Sequence, residues 1–229
     1  MAVGVGCALF LGGFGLAAAL YKPYTVPTDS MAPTVDAGDR VLAQRIDGDR
    51  VRRGDIVVFQ DPVWGNLPVV KRVIGTGGDT VKCCDPRGRL VVNGTVLDEP
   101  YLQRQDQASF SRFEATVPRG QLFLLGDHRS DSLDSRTHVQ DGDSGAVRRE
   151  AVTGRIDATV WPPGNAGMID RPESFAGLPG GISEPGPLRL VLVAIAAGAA
   201  LILGGGAYGP ITTIRRRRAH LTHNGGTHG

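Results

Sequence analysis

Residues 69–74 read Val-Val-Lys-Arg-Val-Ile, a run in which β-branched side chains surround two bases. β-Branched residues are stiff at χ1 and favour strands. Similar runs recur through the middle of the chain between turn signals, among which Asn93-Gly94 is a hairpin signature. No middle stretch keeps a helical period over the length of a helix. We therefore predict a mainly β domain, with strands at 40–46, 55–60, 69–74, 80–82, 90–92, 121–125 and 154–160.

Two stretches without a charged residue flank this β region, at residues 2–20 and 190–214. Each is close to the ~20 apolar residues that cross a bilayer. The basic run Arg215–Arg218 follows the second stretch, and basic clusters stay on the cytoplasmic side. We therefore predict a plasma-membrane protein with two spans. Its segments are an N-terminal transmembrane anchor at 2–21, an extracytoplasmic β domain at 22–161, a Pro/Gly-rich linker at 162–187, a C-terminal transmembrane helix at 188–210 and a basic cytoplasmic tail at 211–229.

Each apolar stretch has an alternative interpretation. Ala17-Ala18-Ala19 leaves open that the first stretch is a cleaved secretory signal, because small residues mark cleavage sites. The stretch has no basic flank, which such a signal carries, so a retained anchor is favoured. The second stretch is too long for an ordinary core helix, and its glycines are typical of membrane helices.

Composition excludes several classes of protein. The chain has 25 basic and 23 acidic residues, so it lacks the excess positive charge of a nucleic-acid binder, and 41% hydrophobic residues argue against disorder. No CxxC pair, H-E-x-x-H motif or GxxxxGK[ST] loop occurs, so we expect no metal and no cofactor. The histidines of the tail are expected in a solvated end rather than in a metal site; they are His220, His223 and His228.

Three polar clusters stand out in the β region. Pro27 and Pro33 bracket Ser30 and fix the backbone around it. Lys71 lies inside an apolar run, where burial lowers the pKa of a lysine and favours its neutral form. Residues 126–136 place acids, guanidiniums and hydroxyls directly after a strand. Each cluster alone is typical of a turn or a strand rim, but together they predict a serine nucleophile with a lysine base.

In this combination the sequence resembles type I signal peptidases, the membrane-anchored Ser-Lys peptidases that remove secretory signal peptides. The resemblance rests on four segments in order, residues 30–34, 53–59, 70–79 and 126–136. It implies an antiparallel β catalytic domain flanked by two transmembrane helices, as in actinobacterial variants. The implied partners are the signal peptides of secretory preproteins, cut after small residues at Ala-x-Ala sites, and the lipid bilayer.

The resemblance also implies roles for individual residues. Ser30 is the expected nucleophile and Lys71 the expected general base. Thr28 is expected to supply a hydroxyl to the oxyanion site, and Ser132 to orient the Lys71 amine. The expected supporting ion network comprises Asp127, Arg129, Asp134 and Arg136. The candidates for shallow substrate pockets are Tyr24, Val26, Met31, Val58, Val69 and Val70.

Three rival hypotheses stay open. His128 stands where many relatives have Asn, so a histidine base is a rival to Lys71. A self-cleaving Ser-Lys peptidase of the repressor-processing kind shares the β core but is cytoplasmic and binds DNA. A membrane-tethered β scaffold that binds signal peptides without cutting them is the rival outside enzymes.

Separately, Cys83-Cys84 is expected as two free thiols or one intermolecular bridge, because a disulfide between neighbours is strained.

Overall fold

The computed structural model describes residues 1–103, 107–140 and 144–223, with side chains as far as residue 206. Tyr21–Pro185 forms a β domain, and residues 1–20 with the chain from Gly186 onward form a helical unit. The helices are α1 (Ala2–Leu20) and α2 (Leu188–His223). The strands are β1 (Tyr21–Thr25), β2 (Arg40–Gln44), β3 (Ile56–Phe59), β4 (Val69–Thr76), β5 (Thr80–Cys83), β6 (Leu90–Val92), β7 (Thr95–Val96), β8 (Phe113–Thr116), β9 (Gln121–Leu125), β10 (Val147–Arg148), β11 (Val152–Trp161) and β12 (Gly167–Met168).

Two antiparallel sheets make up the β domain within the described residues. The larger has the order β1-β2-β11-β3-β4-β9-β10, with β12 beside β11, and the smaller has the order β7-β6-β5-β8. All recorded strand pairs are antiparallel. The predicted fold class, a mainly β antiparallel domain with two apolar helices, is confirmed.

The predicted strands all occur, with ends shifted by no more than two residues. Asn93 and Gly94 join β6 to β7 with φ values of 53° and 82°, the left-handed geometry that the hairpin signature requires. The prediction missed β1, β7, β8, β10 and β12. Of these β1 contains Pro23, which is tolerated because β1 is an edge strand, paired among the described strands with β2 alone.

Strand β3 lies in the middle of the large sheet and is buried on both faces. Its neighbours Val57 and Val58 belong to different apolar clusters, as the alternation of side chains along a strand requires. Strand β4 pairs with β3 on one side and with β9 on the other. A side chain in the centre of β4 is therefore held by strands on both sides.

The segment 162–187 differs from the linker that its Pro/Gly content predicted. Phe175 is fully buried in the cluster that covers the small sheet. Arg171 donates to Asp157 at 2.8 Å and to Ser183 Oγ at 2.7 Å, and Ser183 Oγ in turn donates to Asp55. Buried carboxylates require partners, and this segment supplies them, so it packs onto the domain as part of the fold.

The two helices match the predicted apolar stretches but not all of their ends. Helix α1 ends at Leu20, and Tyr21, which the prediction placed in the anchor, begins β1. Helix α2 continues to His223, past the predicted end at residue 210 and into the predicted tail. The Arg-rich sequence beyond residue 214 has good helix propensity, which accounts for the continuation. Ala2–Leu20 and Leu188–Gly206 are long and apolar enough to cross a membrane.

The cysteine pair lies at the end of β5. The structure joins Cys83 and Cys84 in a disulfide, whereas the sequence favoured free thiols or an intermolecular bridge. Cys83 is buried in the cluster of the small sheet, and Cys84 packs against the same cluster. The sulfurs therefore belong to the core rather than to the polar clusters.

Candidate active site

Ser30 lies on the loop between β1 and β2, and hydrogen bonds hold that loop closed. At its neck Val26 N donates to Asp39 O at 2.9 Å, and Gly38 N donates to Val26 O at 2.8 Å. The Asp29 side chain accepts from Ala37 N at 2.8 Å, across the loop. The bracketing prolines and these bonds fix the backbone, so Ser30 is presented in one place with 9% of its surface exposed.

Lys71 reaches this serine from the middle of β4. Its Nζ lies 2.5 Å from Ser30 Oγ, which is hydrogen-bonding distance. Only 4% of the Lys71 surface is exposed, and its register partner across the sheet is Val57. The structure thus brings together the two residues that the sequence predicted as nucleophile and base, although 41 positions separate them.

The surroundings of Lys71 lower the pKa of its amine. The pKa of Lys71 is lowered from 10.5 to about 8; burial is the main cause, and the charge of Arg136 acts in the same direction. The carboxylates of Asp134, Asp127 and Asp131 act in the opposite direction. A substantial fraction of the amine is therefore neutral near pH 8, the state in which it can accept a hydroxyl proton.

A third hydroxyl lies beside the pair. Thr28 Oγ1 is 3.3 Å from Ser30 Oγ, so the threonine that the prediction placed in the oxyanion site is next to the nucleophile. His128 approaches from another direction: its Nδ1 lies 3.3 Å from Asp29 O, while its backbone N–H donates to Ser30 O at 3.2 Å. In the described part of the chain, the recorded bonds of Ser30 Oγ go to Lys71 and Thr28, and the recorded bond of the His128 ring goes to the backbone.

Ser132 departs from its predicted contact. Its Oγ is buried and has no hydrogen-bond partner among the described residues, so the expected bond to Lys71 is not formed. A Cβ added to Gly126 would collide with Ser132 Oγ and with Ser30 O. Ser132 thus packs against the backbone of Gly126, while the Lys71 amine is directed to Ser30. The orienting role of Ser132 stays a prediction.

Arg72 and Asp127 form a buried ion pair beside the site. Arg72 Nε and Nη2 donate to the two Asp127 oxygens at 2.8 and 2.6 Å, and the exposed surface of the two residues is 1% and 0%. Thr34 Oγ1 donates to the same carboxylate at 2.6 Å. The pair therefore ties together the Ser30 loop, the Lys71 strand and the turn after β9. The sequence predicted Asp127 but not its partner.

The turn after β9 is held by the remaining predicted ions. Asp134 accepts from Gly126 N at 3.1 Å and pairs with Arg136 at 2.7 Å. Arg129 donates to Gly126 O at 2.9 Å and pairs with Glu99 at 2.5 Å. Asp134 and Arg129 thus both bond to the backbone of Gly126, the residue next to Ser30 O. Glu99 was missed, because no local motif marks it.

The pocket candidates divide between two clusters. One cluster contains Val26, Met31, Val58 and Val70, with Tyr24 at its partly buried edge. Val69 packs instead with Val57 and Phe59 in another cluster. The reason is the alternation of side chains along β4, which sends neighbouring valines to opposite faces. Lys71 is two positions from Val69 and shares its side of the strand, so the place of Val69 in the pocket stays a prediction. The cluster around Met31 also contains residues that the prediction omitted: Val35, Val41, Ala43, Ile56 and Ile156.

Among the residues that the structure describes, no group of three or more His, Cys, Asp or Glu side chains is arranged to hold a metal ion. The tail histidines His220, His223 and His228 lie outside the described side chains.

The comparisons with known proteins agree with one another. A family model described as signal peptidase, peptidase S26, matches residues 1–161. A probable signal peptidase I of Mycobacterium leprae is 30% identical over 214 residues, covering 68% of this chain and 74% of that protein. A signal peptidase I of Leptolyngbya laminosa is 33% identical over 160 residues, covering 66% and 73%.

A crystal structure of a signal peptidase I from Enterococcus faecalis is 32% identical and covers 45% of this chain and 94% of that one, with a TM-score of 0.37. That superposition is partial, and the fold assignment rests on the strands described above. Because the family model spans more than half of the chain and includes both Ser30 and Lys71, the chain belongs to the S26 family of serine peptidases, the signal peptidases.

Proposed function

We propose that this protein is a membrane-bound endopeptidase that removes signal peptides from secretory preproteins, with Ser30 as nucleophile and Lys71 as general base. The observation that carries the proposal is the 2.5 Å contact between Lys71 Nζ and Ser30 Oγ in a buried setting. An amine whose pKa is lowered to about 8 is suited to take a proton at the pH outside a cell.

The proposed reaction has two halves. Ser30 Oγ attacks the scissile carbonyl carbon while Lys71 Nζ takes the hydroxyl proton. The oxyanion that forms accepts hydrogen bonds from the Ser30 backbone N–H and from Thr28 Oγ1. Lys71 then gives its proton to the leaving amine as the peptide bond breaks, which leaves the signal peptide esterified to Ser30. A water molecule that loses its proton to Lys71 hydrolyses the ester and restores Ser30.

The preference for small residues follows from the pocket cluster. Met31 and Val58 are fully buried, and Val70 is 8% exposed, so the floor beside the nucleophile is filled by side chains. A substrate strand that lies along this floor has room for Ala but not for a large side chain. We expect a preprotein with Phe in place of Ala before the cut bond to resist cleavage. Efficient turnover of that preprotein contradicts the pocket assignment.

The proposed setting is the plasma membrane, with both helices crossing the bilayer. Ala2–Leu20 and Leu188–Gly206 have the required length and hydropathy. The basic run Arg215–Arg218 favours a cytoplasmic end for α2, and two spans then place the β domain outside the cytoplasm, where secreted preproteins emerge.

The test is cleavage of a purified preprotein with an Ala-x-Ala site, in detergent, by the full chain. Wild type should release the mature protein, and Ser30→Ala and Lys71→Met should not. Matched controls exist for both: Ser111 is exposed, and Lys82 is an exposed lysine of β5 that pairs with Glu114 at 3.5 Å. Ser111→Ala and Lys82→Met should leave activity unchanged.

Each other outcome points to a different conclusion. Folded wild type without activity supports the binding scaffold. Activity that survives Lys71→Met but is lost in Ser30→Ala and His128→Ala assigns the base to His128.

A further inference from the structure

A cavity of about 440 Å³ opens at the end of the large sheet where β1 begins. Small-molecule sites are typically ~300–1,000 Å³ in volume. The charged side chains of the lining are three bases, Lys22, Arg45 and Arg50, and one acid, Asp47. We call this space the basic cavity. It has an excess of positive charge and takes no part in the proposed reaction. Two neighbouring acids line a separate cavity together with Arg149; they are Asp49 and Glu150.

The basic cavity lies on the face of the sheet that carries the candidate substrate pocket. Lys22 pairs with Ala43 in the strand register, and Tyr24 pairs with Val41. Side chains that are paired across strands share a face, as do alternate side chains along a strand, and Ala43 and Val41 belong to the pocket cluster. Tyr24 lines the basic cavity and also forms the edge of that cluster. The cavity therefore continues the substrate face toward the end of the sheet at which β1 begins.

Contacts hold two of the bases at the cavity. Arg45 Nη1 donates to Tyr21 O at 3.0 Å. Lys22 Nζ lies 4.9 Å from the centre of the Tyr24 ring, a cation–π distance. The Tyr24 hydroxyl is in turn 3.4 Å from Thr153 Oγ1, which also lines the cavity. An anion that enters between these side chains meets cations that are already positioned, which reduces the entropic cost of binding it.

The basic cavity begins two residues after the first proposed span. Helix α1 ends at Leu20, and Lys22 is the second residue of β1. A strand rises ~3.3 Å per residue, so Lys22 is at most ~7 Å from the end of the span. The polar headgroup layer on each side of the hydrocarbon core is about 5–8 Å thick. When α1 crosses the bilayer, Lys22 therefore lies at the depth of the lipid phosphates.

We propose that the basic cavity binds the phosphate group of an anionic phospholipid headgroup. This inference rests on the proposed function, through its membrane setting. Guanidinium and ammonium groups bind phosphate oxygens through charge-assisted hydrogen bonds, and an anionic leaflet attracts bases near its surface. The bound lipid holds the substrate face at the membrane surface, where a signal peptide leaves the bilayer, so the extended Ala-x-Ala segment reaches Ser30.

The experiment measures the site through Lys22 itself. The chain has three lysines, of which Lys82 is an exposed residue of β5 and serves as a control within the same molecule. The full chain is reconstituted in phosphatidylcholine vesicles, with or without phosphatidylglycerol, and treated with a neutral acetylating reagent. Mass spectrometry then gives the acetylation rate of each lysine. The same measurement is made on Arg50→Gln and on its matched control Arg87→Gln, which removes an exposed base from the β5–β6 turn.

We expect phosphatidylglycerol to slow the acetylation of Lys22 on the order of tenfold and to leave that of Lys82 unchanged. One base near an anionic surface contributes about a fivefold change in affinity, so Arg50→Gln should reduce the protection of Lys22 about fivefold, whereas Arg87→Gln should not.

Three results overturn the inference. The first is an equal acetylation rate of Lys22 in the two kinds of vesicle. The second is full protection of Lys22 in Arg50→Gln, because the general charge of the surface then accounts for the protection. The third comes from glycerol phosphate added to phosphatidylcholine vesicles: protection equal to that given by phosphatidylglycerol assigns the cavity to a free phosphate rather than to a lipid.

A preprotein added to the phosphatidylglycerol vesicles separates this inference from the proposed function. If wild type cuts the preprotein while Lys22 stays unprotected, only the lipid site is refuted. If the preprotein is not cut while Lys22 is protected, the proposed function is refuted and the lipid site is supported.

Discussion

The pH dependence of cleavage tests the role of Lys71 most directly. With a pKa of about 8, the neutral fraction of the amine is about a half at pH 8, about a tenth at pH 7 and about a hundredth at pH 6. If the neutral amine is the base, kcat/KM should follow those fractions and reach a plateau above pH 9. The assay is initial-rate cleavage of a fluorogenic Ala-x-Ala peptide between pH 6 and 10, with circular dichroism to show that the fold persists at each pH.

Two substitutions should move the midpoint of this profile in opposite directions. The charge of Arg136 lowers the pKa of Lys71, so Arg136→Gln should raise the midpoint. The charge of Asp131 raises that pKa, so Asp131→Asn should lower the midpoint. Asp131 is exposed, so its effect should shrink with added salt.

The assignment of Lys71 as the base is refuted if the profile has its midpoint near 6.5, the ordinary range of a histidine, and if His128→Ala removes that limb. It also fails if the two substitutions leave the midpoint where it was.

Three further predictions concern stability and geometry. Lowering a pKa from 10.5 to about 8 corresponds to about 3 kcal/mol. Since Lys71→Met also loses a hydrogen bond worth about 1 kcal/mol, it should raise the unfolding free energy at pH 7 by about 2 kcal/mol. The stability gain of Lys71→Met should shrink between pH 8 and 10.5, because in that range Lys71 is still protonated in the unfolded chain but neutral in the folded one. Denaturant unfolding at pH 7 and across that range checks the gain and its pH dependence. Asp127→Asn leaves Arg72 charged and buried, so calorimetry should show a loss of about 3–5 kcal/mol. Gly126→Ala displaces Ser30 O and should lower kcat on the order of 100-fold with little change in KM.

The proposed catalytic pair could be predicted because its two signals are local. The prolines around Ser30 and the apolar run around Lys71 are visible in short windows of sequence, and an apolar run predicts the burial that lowers the pKa of a lysine. The 2.5 Å distance between Lys71 Nζ and Ser30 Oγ is seen only in the structure, because the two residues are 41 positions apart in the sequence.

The contacts that sequence reasoning missed are long-range. Glu99 lies 30 positions from Arg129, and Arg72 lies 55 positions from Asp127. Nothing near Glu99 marks it as the partner of a buried guanidinium. Val69 and Val70 face opposite ways, because successive residues of a strand alternate, and an apolar run that is buried on both faces gives no sign of which neighbour lines a substrate pocket.

The packing of residues 162–187 has a practical consequence for handling the β domain by itself. The family match ends at residue 161, and a fragment cut there would lack Phe175, which fills the core of the small sheet. It would also lack Ser183, which donates to the buried carboxylate of Asp55. The family match therefore ends before residues that the hydrophobic core of the β domain needs. The boundaries for a soluble version of this domain are those of the structural unit, Tyr21–Pro185.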